Sequence, residues 1–168
     1  LVELTVVSDK AGESKRTVRY TRTSVAEMIQ LCHDEWIDGN RRFVATKSGG
    51  TLGYIYIQNM MQPDYDHLKS ELEKITSTTK GAVLDFRYNG GGFVAFKVVE
   101  LLKQQHFAFT SMRGGKEISE DMLRDFIYPH PVAGLFNFAS FSNAEMMLCA
   151  FSTVGLGVTI GTPTAGGV

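Results

Sequence analysis

Several features are scarce in these 168 residues, and each scarcity closes a class of function. No block of Lys and Arg occurs, and a formal net charge of -1 leaves no electrostatic footprint for nucleic acid or an anionic membrane. No apolar run approaches the roughly 20 residues that cross a bilayer, and no signal peptide opens the chain. His33 has no second ligand-type residue at metal spacing, so it reads as structural, and neither a metal nor a cofactor is expected. The glycine-rich stretch is neither G-x-G-x-x-G nor a P-loop with its Lys and Ser/Thr, which argues against nucleotides. Only two cysteines are present, Cys32 and Cys149. Both fall on apolar helix faces, so buried free thiols are expected rather than a disulfide.

What remains is an ordinary globular composition, 43% hydrophobic and 21% charged, long enough for one sizeable core. The chain opens with Leu1 to Val7 already in mid-strand, without an initiator Met, and stops at Gly166-Gly167-Val168 after a turn. It is therefore expected to be a piece of a longer protein. A cytoplasmic setting is the expectation for that protein, with the periplasm as the alternative because a leader would have been lost.

Strands are expected over Val2 to Val7 and Thr17 to Arg22, joined by a polar turn over residues 8–14. Ser24-Val-Ala-Glu27 is a capping box. It opens a connecting helix with Val25, Met28, Ile29, Cys32 and Trp36 on one face, closing near Gly39-Asn40. After the Gly49-Gly50 turn, strand and helix alternate. The spacing predicts a strand over Leu52 to Ile57, a helix over Asp64 to Thr78, and a buried strand over Ala82 to Phe86. A helix over Gly92 to Gln105 follows, with Phe93, Phe96, Val99 and Leu102 or Leu101 inward, then a strand over Phe107 to Thr110 and a polar loop from Arg113 to Pro131. A strand with Leu135, Phe136 and Phe138, a helix with Ala144, Met147, Leu148 and Phe151 inward up to Gly155, and a strand from Val158 to Gly161 complete the set. Such alternation implies an α/β fold with a mostly parallel sheet, whose ligands bind at the carboxyl ends of strands.

Two of those ends are chemically distinctive. In Phe136-Asn-Phe-Ala-Ser-Phe-Ser-Asn-Ala-Glu145, Ser142 stands at the joint of strand and helix, where unpaired N–H groups of the new helix turn would stabilise negative charge on a substrate oxygen. The same residues also form a capping box, Ser142 to Glu145, which needs no chemistry. In Asp85-Phe-Arg-Tyr-Asn-Gly-Gly-Gly-Phe93, Gly90, Gly91 and Gly92 let backbone N–H groups approach a ligand, or else make a tight turn with close packing. Asp85 and Arg87 straddle the strand end, where Asp85 is expected to fix the loop.

Those two stretches, with Ile160-Gly-Thr-Pro-Thr-Ala-Gly-Gly-Val168, resemble the catalytic core of the tail-specific or C-terminal processing peptidases, and most closely the tricorn branch. The resemblance spans most of residues 50 to 168 and includes the Gly53 to Ile57 strand with Asn59-Met60. Residues 1 to 24 look like the last strands of a PDZ domain. The implied organisation is a PDZ-like end over 1–23, a connecting helix and linker over 24–48, and a peptidase core over 49–168, truncated at its C-terminus. The implied fold is a ClpP/crotonase-like core of βα repeats.

By the same resemblance Ser142 is the nucleophile. The N–H groups of Asn143 and of one of Gly90, Gly91 or Gly92 form the oxyanion hole, and the substrate is a peptide or protein. A homo-oligomeric parent is implied, because tricorn relatives form rings. One departure is decisive: where Ser-Lys members carry a lysine base, this chain has Gly167. The tricorn branch takes its histidine base from elsewhere, so this chain alone is expected to lack its general base and to be inert or nearly so. His33, His67, His106 and His130 do not match that histidine by motif, and His130 is the nearest to Ser142 in sequence.

Two other classes compete. The same fold serves as a binding module for apolar ligands or peptides, and Phe86, Tyr88, Phe93, Phe138 and Phe141 could line such a cleft, although they read more simply as core. A phosphate or CoA-ester enzyme would also use paired backbone N–H groups, but Asn89 to Phe93 lacks basic residues.

Overall fold

In the computed structural model, residues 1–9, 14–102, 109–110, 115, 118–119 and 126–168 are described. They form two compact units, Leu1–Gly39 and Asn40–Val168.

In the first unit, β1 (Val2–Val7) and β2 (Lys15–Tyr20) form an antiparallel hairpin in which Val2 faces Tyr20 and Val7 faces Lys15. Helix α1 (Val25–Lys47) begins with the expected box: the Glu27 carboxylate accepts the Ser24 N–H, and the Glu27 N–H donates to the Ser24 hydroxyl. The helix does not close at Gly39 but continues to Lys47, because one glycine in a helix interior costs only about 1 kcal/mol relative to Ala. It buries no residue, so Val25, Met28 and Ile29 are exposed and the Cys32 thiol is exposed with them. Cys149 is exposed too, which corrects the expectation of buried thiols. An apolar helical stripe shows only that a face could be covered.

The second unit is a parallel sheet in the order β3 (Leu52–Tyr56), β4 (Gly81–Asp85), β7 (Val132–Phe136), β8 (Gly157–Gly161). Helix α2 (Gln62–Ile75) follows β3 with Pro63 in its first turn, where the missing N–H costs nothing. Helix α3 (Ala95–Leu102) follows β4, and α4 (Asn143–Ala150) follows β7 and ends in a π turn over Phe151–Gly155. Between α3 and β7, the short strands β5 (Phe109–Thr110) and β6 (Ile118–Ser119) pair antiparallel. The expected helix beyond Leu102, Phe107 of the expected strand, and much of the expected polar loop lie outside the described residues.

One sheet face and three helices make the core: Ile55, Ile57, Leu84, Phe86, Val132 and Phe136 from the sheet side, Leu68 and Leu72 from α2, Val98 and Leu101 from α3, Met147 from α4 and Phe151 after it. Phe86 and Phe136 stack at 5.0 Å, and Phe151 meets both edge-on. Tyr128, within the expected polar loop, is fully buried in this core. On α3 the inward face differs from the expected one. The helix starts at Ala95, so Val98, Leu101 and Leu102 point inward while Phe93 and Phe96 are exposed. Phe93 precedes the helix, and the buried stripe is the neighbouring one of Ala95, Val98, Leu101 and Leu102 rather than that of Phe96 and Val99.

Candidate active site

All four carboxyl ends of the sheet meet in one hydrogen-bonded cluster. After β3, the Met60 N–H donates to the Gly91 carbonyl at 2.8 Å, and the Phe93 N–H donates to the Met60 carbonyl at 2.7 Å. After β4, buried Asn89 donates from Nδ2 to the Ile57 carbonyl at 2.8 Å and accepts the Gly91 N–H at 2.8 Å. After β7, the Phe141 N–H donates to the Asn89 carbonyl at 3.0 Å. After β8, the Ala165 N–H donates to the Ser140 carbonyl at 3.1 Å. Loops that in most proteins face water are here tied to one another, which removes the disorder a ligand would otherwise have to suppress.

Beneath the glycine loop, Asp85 is wholly buried at the end of β4. Arg87 Nε lies 2.9 and 3.0 Å from its two carboxylate oxygens, the Arg87 N–H reaches Oδ1 at 3.0 Å, and the Tyr54 hydroxyl donates to Oδ2 at 2.6 Å. Asp85 therefore fixes the loop, as expected. Its hydrogen bonds and charge hold the Arg87 guanidinium firmly protonated, while burial and then the Asp85 carboxylate push the Tyr54 hydroxyl up. Burial, reinforced by Asp85, likewise lifts Tyr56 to about 12. None of these groups is poised to exchange a proton near neutrality.

Two serines stand two residues apart, and the fold separates their roles. Ser140 is fully buried, with its hydroxyl donating to the Phe86 carbonyl at 2.9 Å and accepting the Asn137 N–H at 3.0 Å. Ser142 is partly exposed and sits at the N-terminus of α4 with φ 55° and ψ −119°, a sparsely populated conformation for a side-chain-bearing residue. Tyr88 shares a positive φ of 62°, and its N–H is held by Asn137 Oδ1 at 3.0 Å. Strain of this sort persists only where surrounding bonds over-determine the backbone, as they do here.

Gly91 faces Ser142 directly. A methyl group built on it would lie 2.7 Å from Ser142 Cβ and 3.0 Å from the Asn143 nitrogen, and its φ is +87°. Only glycine allows this approach. At the start of α4, Ala144, Glu145 and Met146 donate their N–H groups to the Phe141 and Ser142 carbonyls, and the Ser142 N–H donates to Glu145 Oε2 at 2.8 Å. Among the described residues, no acceptor meets the Asn143 N–H, as helix geometry dictates for a first-turn amide. The Asn143 side chain turns the other way and accepts the Ala95 N–H at 2.8 Å, capping α3.

The remaining candidates separate. His130 lies before β7, where its Nε2 meets the Thr76 carbonyl at 2.9 Å and its ring packs edge-on against Tyr128. Ser142 lies beyond the far end of that five-residue strand, about 16 Å away along a backbone that rises ~3.3 Å per residue. His33 stacks on Trp36 in the first unit, His67 is exposed on α2, and His106 lies outside the described residues. Of the five aromatic residues weighed as cleft or core, only Phe86 is in the core. Tyr88, Phe93, Phe138 and Phe141 are exposed, with Tyr88 and Phe138 in edge contact at 6.2 Å. Asn89, Asn137 and Ser140 were not singled out from sequence; their signal was a polar residue in a turn directly after an apolar strand.

Comparison with known proteins matches residues 51–168 to the description of peptidase family S41. The chain is 30% identical to the tricorn protease of Thermoplasma acidophilum, with 97% of this chain and 16% of that protein aligned. It is 31% identical to tricorn protease homolog 1 of Streptomyces coelicolor, with 99% of this chain and 15% of that protein aligned. The crystal structure of the tricorn protease superposes with a TM-score of 0.68 at 27% identity, covering 99% of this chain and 15% of that one. The chain thus spans a small part of the length of its relatives.

Proposed function

The chain belongs to peptidase family S41, and from that premise we propose that it carries the acylation half of a serine peptidase site. Ser142 Oγ attacks the carbonyl carbon of a peptide bond while a general base takes its proton. The tetrahedral intermediate collapses with loss of the protonated amine, and water hydrolyses the resulting acyl-enzyme. The single observation that carries this reading is the juxtaposition of Ser142, in its strained φ, with Gly91 and the unpartnered Asn143 N–H.

The oxyanion donors are Asn143 N–H on one side and Gly92 N–H on the other. Gly91 is excluded because its N–H is bound to Asn89 Oδ1. Gly92 bridges Met60 in parallel fashion, with the Gly91 carbonyl and the Phe93 N–H directed at Met60. Its own N–H is therefore directed away from β3, and we take it, rather than that of Gly90, as the second donor. Each such donor is worth about 3 kcal/mol of transition-state stabilisation.

In this reading the base comes from outside these 168 residues, as the tricorn resemblance implies, since the described histidines lie elsewhere. A side chain at position 167 would have to displace the Phe141 ring, which packs against Gly167. We take residues 1–23 as the end of a PDZ-like domain, 24–48 as connector and 49–168 as the ClpP/crotonase-like core, with peptides as substrates and a homo-oligomeric parent.

The test is labelling by a fluorophosphonate probe, on this chain and on the natural full-length polypeptide, with Ser142→Ala as control. Ser142-dependent labelling of the full-length polypeptide is expected, with little or none of this chain alone. Absence of Ser142-dependent labelling in both would return Ser142 to helix capping.

A further inference from the structure

A capping-box glutamate ordinarily serves one amide, that of its own N-cap residue. Glu145 serves three. Its Oε2 accepts the Ser142 N–H at 2.8 Å, its Oε1 accepts the Gly166 N–H at 2.7 Å, and the Gly167 N–H lies 3.0 Å from Oε2. The last two donors are 21 and 22 residues away in sequence, on the segment that leaves β8. Gly166 has φ +75°, a conformation that favours glycine, and the Phe141 ring lies where a side chain at Gly167 would begin.

Resting on the acylation reading above, we propose that Glu145 is a positioning residue for Ser142, acting as a clamp between the nucleophile's own peptide and the segment after β8. Two consequences follow from the geometry. The Ser142 N–H is occupied by the carboxylate, so it cannot serve the substrate, and Asn143 becomes the donor on that side. The clamp also braces a residue whose φ of 55° would relax if the peptide were free to turn. Because Ala165 is bound to the Ser140 carbonyl, the segment from Ala165 to Gly167 and the loop from Ser140 to Ser142 hold each other from both sides.

The experiment compares Glu145→Gln and Glu145→Ala with wild type in the natural full-length polypeptide. Glutamine keeps an acceptor oxygen and most of the packing, so it remains informative where alanine fails to fold. The readouts are fluorophosphonate inactivation kinetics, thermal unfolding, and amide hydrogen exchange of the peptide containing Gly166 and Gly167. Misplacement of the nucleophile predicts a fall in kinact of about tenfold to a hundredfold for Glu145→Gln, with KI unchanged. Faster exchange at Gly166 and Gly167 and a nearly unchanged Tm are expected alongside it. An unchanged kinact in a labelled protein overturns the clamp, as does a fall in kinact matched by a collapse in Tm. A wild type that is not labelled at all instead removes the acylation reading on which the clamp rests.

Discussion

At the carboxyl end of the four-stranded sheet, Asp85, Asn89, Asn137, Ser140 and Asn143 are buried polar side chains, and each finds partners. At the amino end of the same strands the side chains are Leu52, Ala82 and Val132, with His130 bound to the Thr76 carbonyl beside them. The contrast separates two tasks. At the amino end Ala82 and Val132 are buried while Leu52 is exposed, and apolar burial of about 25 cal/mol per Å² stabilises such packing without directional demands. The carboxyl end holds Tyr88 and Ser142 in costly backbone conformations, and directional bonds are what can hold them there.

Breaking the carboxyl end at Ser142 should have the largest effect on labelling. Ser142→Ala is expected to abolish probe labelling of the full-length polypeptide while shifting chemical denaturation by no more than about 1 kcal/mol, the worth of a cap. Ser140→Ala should do the reverse. It leaves the Phe86 carbonyl and the Asn137 N–H without their partner, so denaturation should report a loss of about 2 kcal/mol.

Larger still in stability is Arg87→Ala, which strips the main cation from a wholly buried carboxylate. About 3 kcal/mol should be lost in urea denaturation, less if Tyr54 alone can hold Asp85. Gly91→Ala is expected to cost about 2 kcal/mol and most of the labelling, since the new methyl group meets Ser142 in a left-handed backbone. Gly90→Ala should be nearly silent, because its methyl group would approach only Asn59 Oδ1, at 3.3 Å. Equal effects at the two glycines would remove Gly91's special place.

The smaller effects sharpen the contrast from the other side. His130→Ala should cost about 1 kcal/mol in thermal denaturation and leave labelling unchanged, because its hydrogen bond lies at the amino end. A labelling loss there would reopen His130 as a base. Acidification offers a last test. Burial acts to raise the Glu145 carboxyl, but the N–H groups of Gly166, Ser142 and Gly167 and the Thr164 hydroxyl together hold it below its ordinary 4.5. A depressed carboxyl stabilises the fold above its unfolded value and loses that contribution as pH falls through the folded one. The protection of Gly166 and Gly167, measured against the intrinsic exchange rate at each pH, should therefore fall below pH 4.5, and Glu145→Gln should remove that fall.

Period and punctuation made much of this legible beforehand. The strands and helices from Leu52 onward follow from apolar spacing, and parallel pairing follows from their alternation, since a strand-helix-strand unit returns in the same direction. Ser142 and the triple glycine were visible because both follow an apolar strand directly. Less legible were side-chain directions past a loop. Phe93 and Phe96 looked inward because they share a spacing of three with Val99 and Leu102, but Phe93 precedes the helix and the buried stripe is that of Ala95, Val98, Leu101 and Leu102. The exposed thiols of Cys32 and Cys149 were misread for a related reason, since a stripe of apolar residues does not say what covers it.

Local sequence alone determined which segments are strand or helix, where the chain turns, and that a serine and three glycines stand at strand ends, because those properties depend on neighbours within a few residues. Tertiary structure alone decided that Ser140 is spent on the Phe86 carbonyl while Ser142 is partly exposed, that Gly91 rather than Gly90 faces Ser142, and that Glu145 reaches Gly166 and Gly167. Those choices rest on contacts between residues some 20 to 50 positions apart. Such contacts depend on strand order and on how the loops cross the strand ends, which no pattern within a few residues encodes.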